Sequence, residues 1–166
     1  MDKKKPFDMD AYVARITGGP CFICEIVAGN PAFPHHIIYQ DDEAIVFLNA
    51  YPPLVGYALV APRAHREQVT GDFTLAEYLR LQTVIYRVAE AVRRVVPAER
   101  VYVLSLGSQQ GNSHVHWHIA PLPPGVPFHE QQLEALRVED RILDLSEDDM
   151  AALAAQIRAA LDQLPG

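Results

Sequence analysis

Five short segments of the chain carry the β-branched and aromatic residues of strands, and turn-forming residues separate them. Paired aspartates occupy 41–42 and paired prolines occupy 52–53, as expected of breaks between strands. The predicted strands are 37–40, 44–49, 57–62, 101–106 and 113–120. The short gaps favour antiparallel neighbours, and the chain is expected to leave the sheet over 121–127.

Two longer segments place apolar residues at helical spacing. The first begins at Thr74, where Thr74 and Glu77 can form a capping box, and it ends before Pro97. The second is a C-terminal helix that Ser146 and Asp149 can cap in the same way. This arrangement predicts an α+β fold with one antiparallel five-stranded sheet, a long packing helix and a C-terminal helix.

The chain divides into three parts around this sheet. Residues 1–20 form a polar arm with a short predicted helix at 10–16. The domain that carries the sheet is expected over 21–125. Residues 126–166 form an extension with a charged connector at 139–144, and its helix is expected to pack on the same domain.

Acidic residues outnumber basic ones, which excludes several classes of function. The net charge is −7, and all three lysines lie at positions 3–5. The sequence therefore offers no P-loop lysine, no Schiff-base lysine and no broad basic face for nucleic acid.

The N-terminal residues lack the apolar stretch of a secretory signal, and prolines interrupt the uncharged run 44–62. A cytoplasmic protein without a membrane span is predicted.

Three histidines at alternate positions carry the strongest chemical signal. Side chains alternate across a strand, so His114, His116 and His118 share one face while Val115 and Trp117 face the core. Aligned imidazoles can supply a nucleophile and a proton donor without a lysine. The same pattern also fits three surface histidines, or two or three ligands of a catalytic metal.

The only two cysteines form a CxxC motif at Cys21 and Cys24. This motif is half of a zinc site, a redox dithiol or an inert pair of thiols. No predicted strand precedes Cys21, which disfavours a thioredoxin-like pair. His65, after the third predicted strand, and one histidine of the triad would complete a closed Cys2His2 zinc site.

A polar loop with a glycine near each end leads into the triad. Backbone N–H groups of 107–112 could cradle a phosphate, although the loop could also be a simple hairpin connection. Asn49, at the end of a predicted strand, could cap a turn or bind a sugar hydroxyl. Three other histidines lie in proline-rich loops and are expected to be solvated: His35, His36 and His129.

Taken together, these motifs resemble the histidine triad (HIT) family of nucleotide hydrolases and transferases. The segment 114–120 is similar to the family's HxHxHxx signature. The CxxC at 21–24, Phe-Leu-Asn at 47–49 and His65 follow in the family's order and spacing, so the resemblance covers about residues 21–120. It implies a HIT-like fold that forms a homodimer, binds a purine nucleotide and needs no organic cofactor.

The resemblance also implies an enzyme that cleaves at the α-phosphate of an adenine nucleotide. A diadenosine polyphosphate or an adenosine phosphoramidate is the expected type of substrate. His116 is the implied nucleophile, which forms a covalent nucleotidyl-histidine intermediate, and His118 contacts the phosphate and protonates the leaving group. The implied nucleotide-binding residues are Asn49, Gln110, Gly111, Asn112 and His118.

The resemblance also implies a structural zinc, and the chain departs from the family pattern at two places. The implied zinc ligands are Cys21, Cys24, His65 and His114. Tyr57 stands where many members have a histidine, and the residues at 108–111 differ from the Gly-Gln run that is common there. Two alternatives therefore stay open. One is a nucleotide-binding regulatory module with little activity, and the other is a zinc-dependent hydrolase that uses the triad as ligands.

Overall fold

One five-stranded antiparallel sheet organises the chain. The computed structural model describes residues 4–138 and 142–165. The strands in chain order are β1 (Lys4–Lys5), β2 (Ile37–Gln40), β3 (Ala44–Leu48), β4 (Ala58–Pro62), β5 (Arg100–Ser105), β6 (Trp117–Leu122) and β7 (Ile142–Leu143). The main sheet has the spatial order β2-β3-β4-β6-β5, and β1 pairs separately with β7. The predicted α+β class with a five-stranded antiparallel sheet is confirmed.

Four α-helices surround the sheet. They are α1 (Met9–Gly18), α2 (Phe22–Val27), α3 (Leu75–Val95) and α4 (Glu147–Asp162), with short 3-10 turns at Phe128–Glu130 and Glu134–Leu136. Both predicted capping boxes are present. The Thr74 hydroxyl accepts from the Glu77 N–H at the start of α3, and the Ser146 hydroxyl accepts from the Asp149 N–H at the start of α4.

The sheet is buried on both faces because β3 and β4 send alternate side chains into two different cores. The larger core lies under α3 and α4 and receives Val46, Leu48, Ala58 and Val60. The smaller core lies under α2 and receives Ile45, Phe47, Leu59 and Ala61. Ile23 and Ile26 of α2 close the smaller core, so α2, with Cys21 at its N-cap and Cys24 in its first turn, lies on the face opposite α3.

The last strand of the sheet differs from its prediction at both ends. It was expected at 113–120, yet β6 pairs over Trp117–Leu122. The expectation that the chain leaves the sheet at Pro121 is therefore wrong. Pro121 pairs with Val101 of β5, beyond the three residues of β6 that pair with β4. Its missing N–H thus removes no hydrogen bond to β4.

Other sequence predictions have mixed outcomes. The short helix expected at 10–16 is α1, whose N-cap Asp8 accepts from the Ala11 N–H at 2.9 Å. Of the predicted connector at 139–144, residues 142–143 form β7 and 139–141 lie outside the described residues. No helix within the described ranges is long and apolar enough to cross a membrane. The three-part division of the chain and the cytoplasmic location stay predictions.

Candidate active site and metal centre

The three triad histidines lie together at the start of β6. Val115 and Trp117 face the larger core, as the alternation predicts, while His114 and His116 contact Cys21 and Phe22 on the opposite face. His114 and His116 are buried, with 1% and 4% exposure. Both precede the paired part of β6, and the Val115 N–H between them donates to the Arg66 carbonyl at 2.7 Å. The rings of His116 and His118 are 4.8 Å apart between centroids.

The hydrogen bond made by His116 fixes which of its ring nitrogens carries the proton. Its Nδ1 lies 2.7 Å from the carbonyl oxygen of His114, and a carbonyl only accepts. Nδ1 therefore carries the hydrogen, and Nε2 of the neutral ring keeps a free lone pair. Burial lowers the pKa of His116, which favours this neutral form.

Tyr57 contacts His118 at the position where the family resemblance expects a histidine. The Tyr57 hydroxyl lies 2.9 Å from Nδ1 of His118, and the two rings stack with centroids 5.7 Å apart. Burial is the main cause that lowers the pKa of His118 to about 3, and the neighbouring His116 adds to it. Nε2 of His118 is buried and has no hydrogen-bond partner among the described residues.

The two cysteines meet two histidines on the other side of the triad. The four ligand atoms of Cys21, Cys24, His65 and His114 all lie within 4.8 Å of one another. Sγ of Cys21 is 3.3 Å from Nδ1 of His114, and Sγ of Cys24 is 3.3 Å from Nδ1 of His65. A tetrahedral zinc with its usual bond lengths separates sulfur and nitrogen ligands by about 3.5 Å. The donor set and its spacing therefore fit a metal.

The surroundings of this cluster also suit a metal, because they hold both histidines in the tautomer that a ligand needs. Nε2 of His114 donates to the Pro62 carbonyl at 2.9 Å, and Nε2 of His65 donates to the Glu67 carboxylate at 3.1 Å. Each Nδ1 is thus left unprotonated and faces a thiol. Burial and the adjacent Cys21 raise the pKa of the Cys24 thiol to about 11.

An aromatic cluster borders His116 on the face that carries α2. The ring of Phe22 meets the ring of His116 edge-on at 6.1 Å, and Phe22 also contacts Phe47 at 6.3 Å. His35 packs edge-on against Phe47 at 5.1 Å. The prediction that His35 is an ordinary solvated residue is therefore wrong, and burial lowers its pKa. Nothing in the sequence around 34–36 indicates this packing, which depends on α2.

The polar loop before the triad is a tight turn that satisfies much of its own backbone. The N–H groups of Ser108 and Gly111 bond to each other's carbonyl oxygens, and the Gln110 N–H donates to the Ser108 hydroxyl. The Gln110 side chain is exposed. Gly107 lies close to the triad, since a Cβ there would be 2.8 Å from the Asn112 carbonyl oxygen and 4.0 Å from Cε1 of His116.

The other predicted nucleotide ligands already have protein partners. The Asn112 side chain donates to the Tyr12 hydroxyl at 2.9 Å, and Asn112 has a φ of 57°. The Asn49 side chain accepts from the Tyr51 N–H at 2.8 Å, so it caps a turn, one of the two roles predicted for it. Its burial is intermediate. Nothing in the sequence indicated that Tyr12 and Tyr51 contact these two asparagines.

A five-stranded α+β fold with a histidine triad beside a Cys/His cluster defines a class of protein. The family model described as the HIT domain matches residues 30–124, more than half of the chain. The protein therefore belongs to the HIT family. An uncharacterized HIT-like protein of Saccharolobus solfataricus is 31% identical over 107 residues, which cover 61% of this chain and 73% of that protein.

Further relatives extend over more of the chain. The adenosine 5'-monophosphoramidase hnt1 of Schizosaccharomyces pombe is 27% identical over 134 residues, or 72% of this chain and 94% of that one. A hypothetical histidine triad nucleotide-binding protein of Sulfolobus tokodaii superposes with a TM-score of 0.67 at 22% identity, covering 86% and 92% of the two chains. A Zn-bound histidine triad family protein of Mycobacterium smegmatis gives 0.66 at 24% identity, covering 86% and 94%.

Proposed function

We propose that the protein is a nucleotide hydrolase or nucleotidyl transferase that cleaves at the α-phosphate of an adenine nucleotide through a covalent intermediate on His116. The observation that carries this proposal is the hydrogen bond from His116 Nδ1 to the His114 carbonyl, which leaves Nε2 as a free nucleophile. Membership of the HIT family and the relative named an adenosine 5'-monophosphoramidase support it.

The proposed reaction has two displacements at the α-phosphorus. Nε2 of His116 attacks the phosphorus, and the bond to the leaving group breaks. The positive charge that develops on the ring is stabilised by the His114 carbonyl, which accepts from Nδ1. Water then attacks the same phosphorus, the P–N bond breaks, and nucleoside monophosphate leaves with the neutral imidazole restored.

His118 is the proposed hydrogen-bond donor to the leaving group, and a leaving amine takes its proton from solvent. When the Tyr57 hydroxyl donates to Nδ1 of His118, the ring proton is on Nε2. This nitrogen has no partner among the described residues and can donate to a phosphate oxygen or to the departing atom. Tyr57 would then position His118, in place of the histidine that many members have here.

Phosphate and ribose contacts are proposed for the loop and the turn that flank the triad. The exposed Gln110 side chain can reach a phosphate without breaking a bond. A contact from the Gly111 N–H would require it to give up its bond to the Ser108 carbonyl at 3.1 Å. Asn49 and Asn112 would bind through groups not already engaged with Tyr51 and Tyr12.

A structural zinc is proposed for the cluster of Cys21, Cys24, His65 and His114. Four protein ligands form a closed site, which leaves no position for a substrate or a water. A bound zinc would tie α2 to the segment that carries the triad, since Cys21 and Cys24 flank the start of α2. The zinc hydrolase alternative has less support because both ring nitrogens of His114 are engaged, Nδ1 with the thiols and Nε2 with the Pro62 carbonyl, so His114 is not free to join His116 and His118 around another metal.

Replacing the nucleophile tests the enzymatic proposal. His116→Ala is expected to lower kcat on adenosine phosphoramidate or diadenosine polyphosphate at least about a thousandfold, with little change in nucleotide binding. His129→Ala is the matched control, because His129 is highly exposed in a 3-10 turn. Unchanged turnover in His116→Ala would refute the proposal. Nucleotide binding by the wild type without cleavage of either substrate would favour the regulatory module.

A homodimer is also proposed, from the apolar residues that the fold leaves exposed. β5 is an edge strand of the sheet, and Val103 on it is 47% exposed. Leu75, Leu79 and Tyr86 of α3 are exposed as well. An open strand edge beside apolar side chains is suited to pairing with a second copy.

A further inference from the structure

The N-terminal helix α1 contacts both loops that flank the triad. The Tyr12 hydroxyl accepts from the Asn112 side chain at 2.9 Å. Ile16 packs on Gly111, where a Cβ would be 3.1 Å from its Cγ1. Arg15 donates to the Tyr51 hydroxyl at 2.6 Å. Since α1 buries no residue, it adds little to the hydrophobic core, and its contacts instead converge on the candidate site.

The guanidinium of Arg15 is held in place by two aromatic rings. It lies 5.0 Å from the ring centroid of Tyr51 and 5.5 Å from that of Tyr12. Within residues 4–138 and 142–165, no acidic group forms an ion pair with it, whereas Arg66 and Arg80 are paired with glutamates. A fixed guanidinium with unused N–H donors is suited to binding a phosphate.

Arg15 is exposed, and its contacts place it beside the candidate site. Its partner Tyr51 belongs to the turn that Asn49 caps. Burial and then the neighbouring His36 are the larger causes of the lowered pKa of His35, and the positive charge of Arg15 adds to them; His35 packs on Phe47 in the aromatic cluster beside His116. Arg15 therefore lies on the rim of the site, next to the turn expected to bind ribose.

We propose that Arg15 binds phosphate groups of the substrate beyond the α-phosphate, so that α1 is part of the substrate site. This inference rests on the proposed function and narrows its substrate class to nucleotides whose leaving group carries phosphate, such as dinucleoside polyphosphates. In that reaction the P–O bond between the α-phosphate and the bridging oxygen breaks, and the bridging oxygen leaves with the outer phosphates. Phosphoramidates, whose leaving group is an amine, would gain nothing from Arg15.

The test compares two substrates in two variants. Arg15→Gln is expected to lower kcat/KM for diadenosine tetraphosphate roughly 10- to 100-fold, the range for a lost hydrogen bond to a charged group. The loss for adenosine phosphoramidate is expected to be at least about tenfold smaller. Arg93→Gln is the matched control, since this exposed arginine pairs with Glu90 on α3. Equal losses on both substrates, or no loss on either, would overturn the inference.

Equilibrium binding keeps the inference testable if the protein proves not to be an enzyme. Calorimetry should find that the wild type binds ATP more tightly than AMP, and that Arg15→Gln removes most of this difference. Selective loss of ATP binding in a protein that cleaves nothing would refute the proposed function and leave this inference standing. A wild type that binds ATP no more tightly than AMP would refute the inference itself.

Discussion

Removing the Tyr57 hydroxyl is the most specific test of whether Tyr57 orients His118. Tyr57→Phe removes one oxygen atom and keeps the ring, which stacks on His118. Tyr57 is 4% exposed, so water cannot easily replace the hydroxyl. The substitution leaves Nδ1 of His118 without its 2.9 Å partner. The imidazole can then adopt either tautomer or rotate, and only one tautomer carries a proton on Nε2.

The magnitude follows from the cost of a lost buried hydrogen bond. An unsatisfied buried polar group costs about 1–3 kcal/mol. If this cost falls on the orientation of His118 in the transition state, kcat decreases roughly 5- to 150-fold. KM should change less, because Tyr57 is not expected to contact the substrate. Tyr57→His, which restores the residue common in the family, should retain more activity than Tyr57→Phe.

Steady-state kinetics on an adenylylated substrate is the assay. Tyr39→Phe is the matched control, because the Tyr39 hydroxyl bonds to Asp41 at an exposed site on β2, away from the triad. Its kcat should stay within about twofold of the wild type. Circular dichroism should show that both variants are folded. A kcat for Tyr57→Phe equal to that of the control would refute the positioning role.

Two further predictions concern the metal and the assembly. The double variant Cys21→Ser, Cys24→Ser should lose zinc measured by elemental analysis, and its Tm should fall by about 10 °C or more, since a structural zinc contributes to folding. Full zinc content in that variant would contradict the ligand assignment. Light scattering should give a mass twice the 18.5 kDa of one chain, and Val103→Asp should shift it toward the monomer. A wild-type mass of one chain would contradict the dimer.

Local rules account for the parts of the fold that the sequence predicted well. The alternation of Val115 and Trp117 with the histidines depends only on the geometry of an extended chain. The capping boxes at Thr74 and Ser146 are also local, because each connects residues three positions apart. These features required no knowledge of the neighbouring strands or helices.

The features that the sequence missed all depend on distant neighbours. Pro121 can continue β6 because the pairing with β4 stops at Ile119, which lies opposite Ala58. Pro121 therefore pairs with β5 alone. His35 is half-buried because α2 brings Phe22 over Phe47. No periodic pattern in the polar arm, residues 1–20, indicates that Tyr12 contacts a loop one hundred residues later. The sequence alone therefore does not relate the arm to the site. Tertiary packing, rather than propensity, determines these positions.

The proposed function depends most directly on a covalent nucleotidyl group on His116. The most direct test is intact-mass spectrometry after brief incubation with an adenylylated substrate, quenched so that a phosphohistidine survives. We expect a mass increase of one adenylyl group on the wild type and none on His116→Ala. Release of monophosphate with no adduct at any time, and with release stopped by a chelator, would contradict it and favour a metal-bound water as nucleophile.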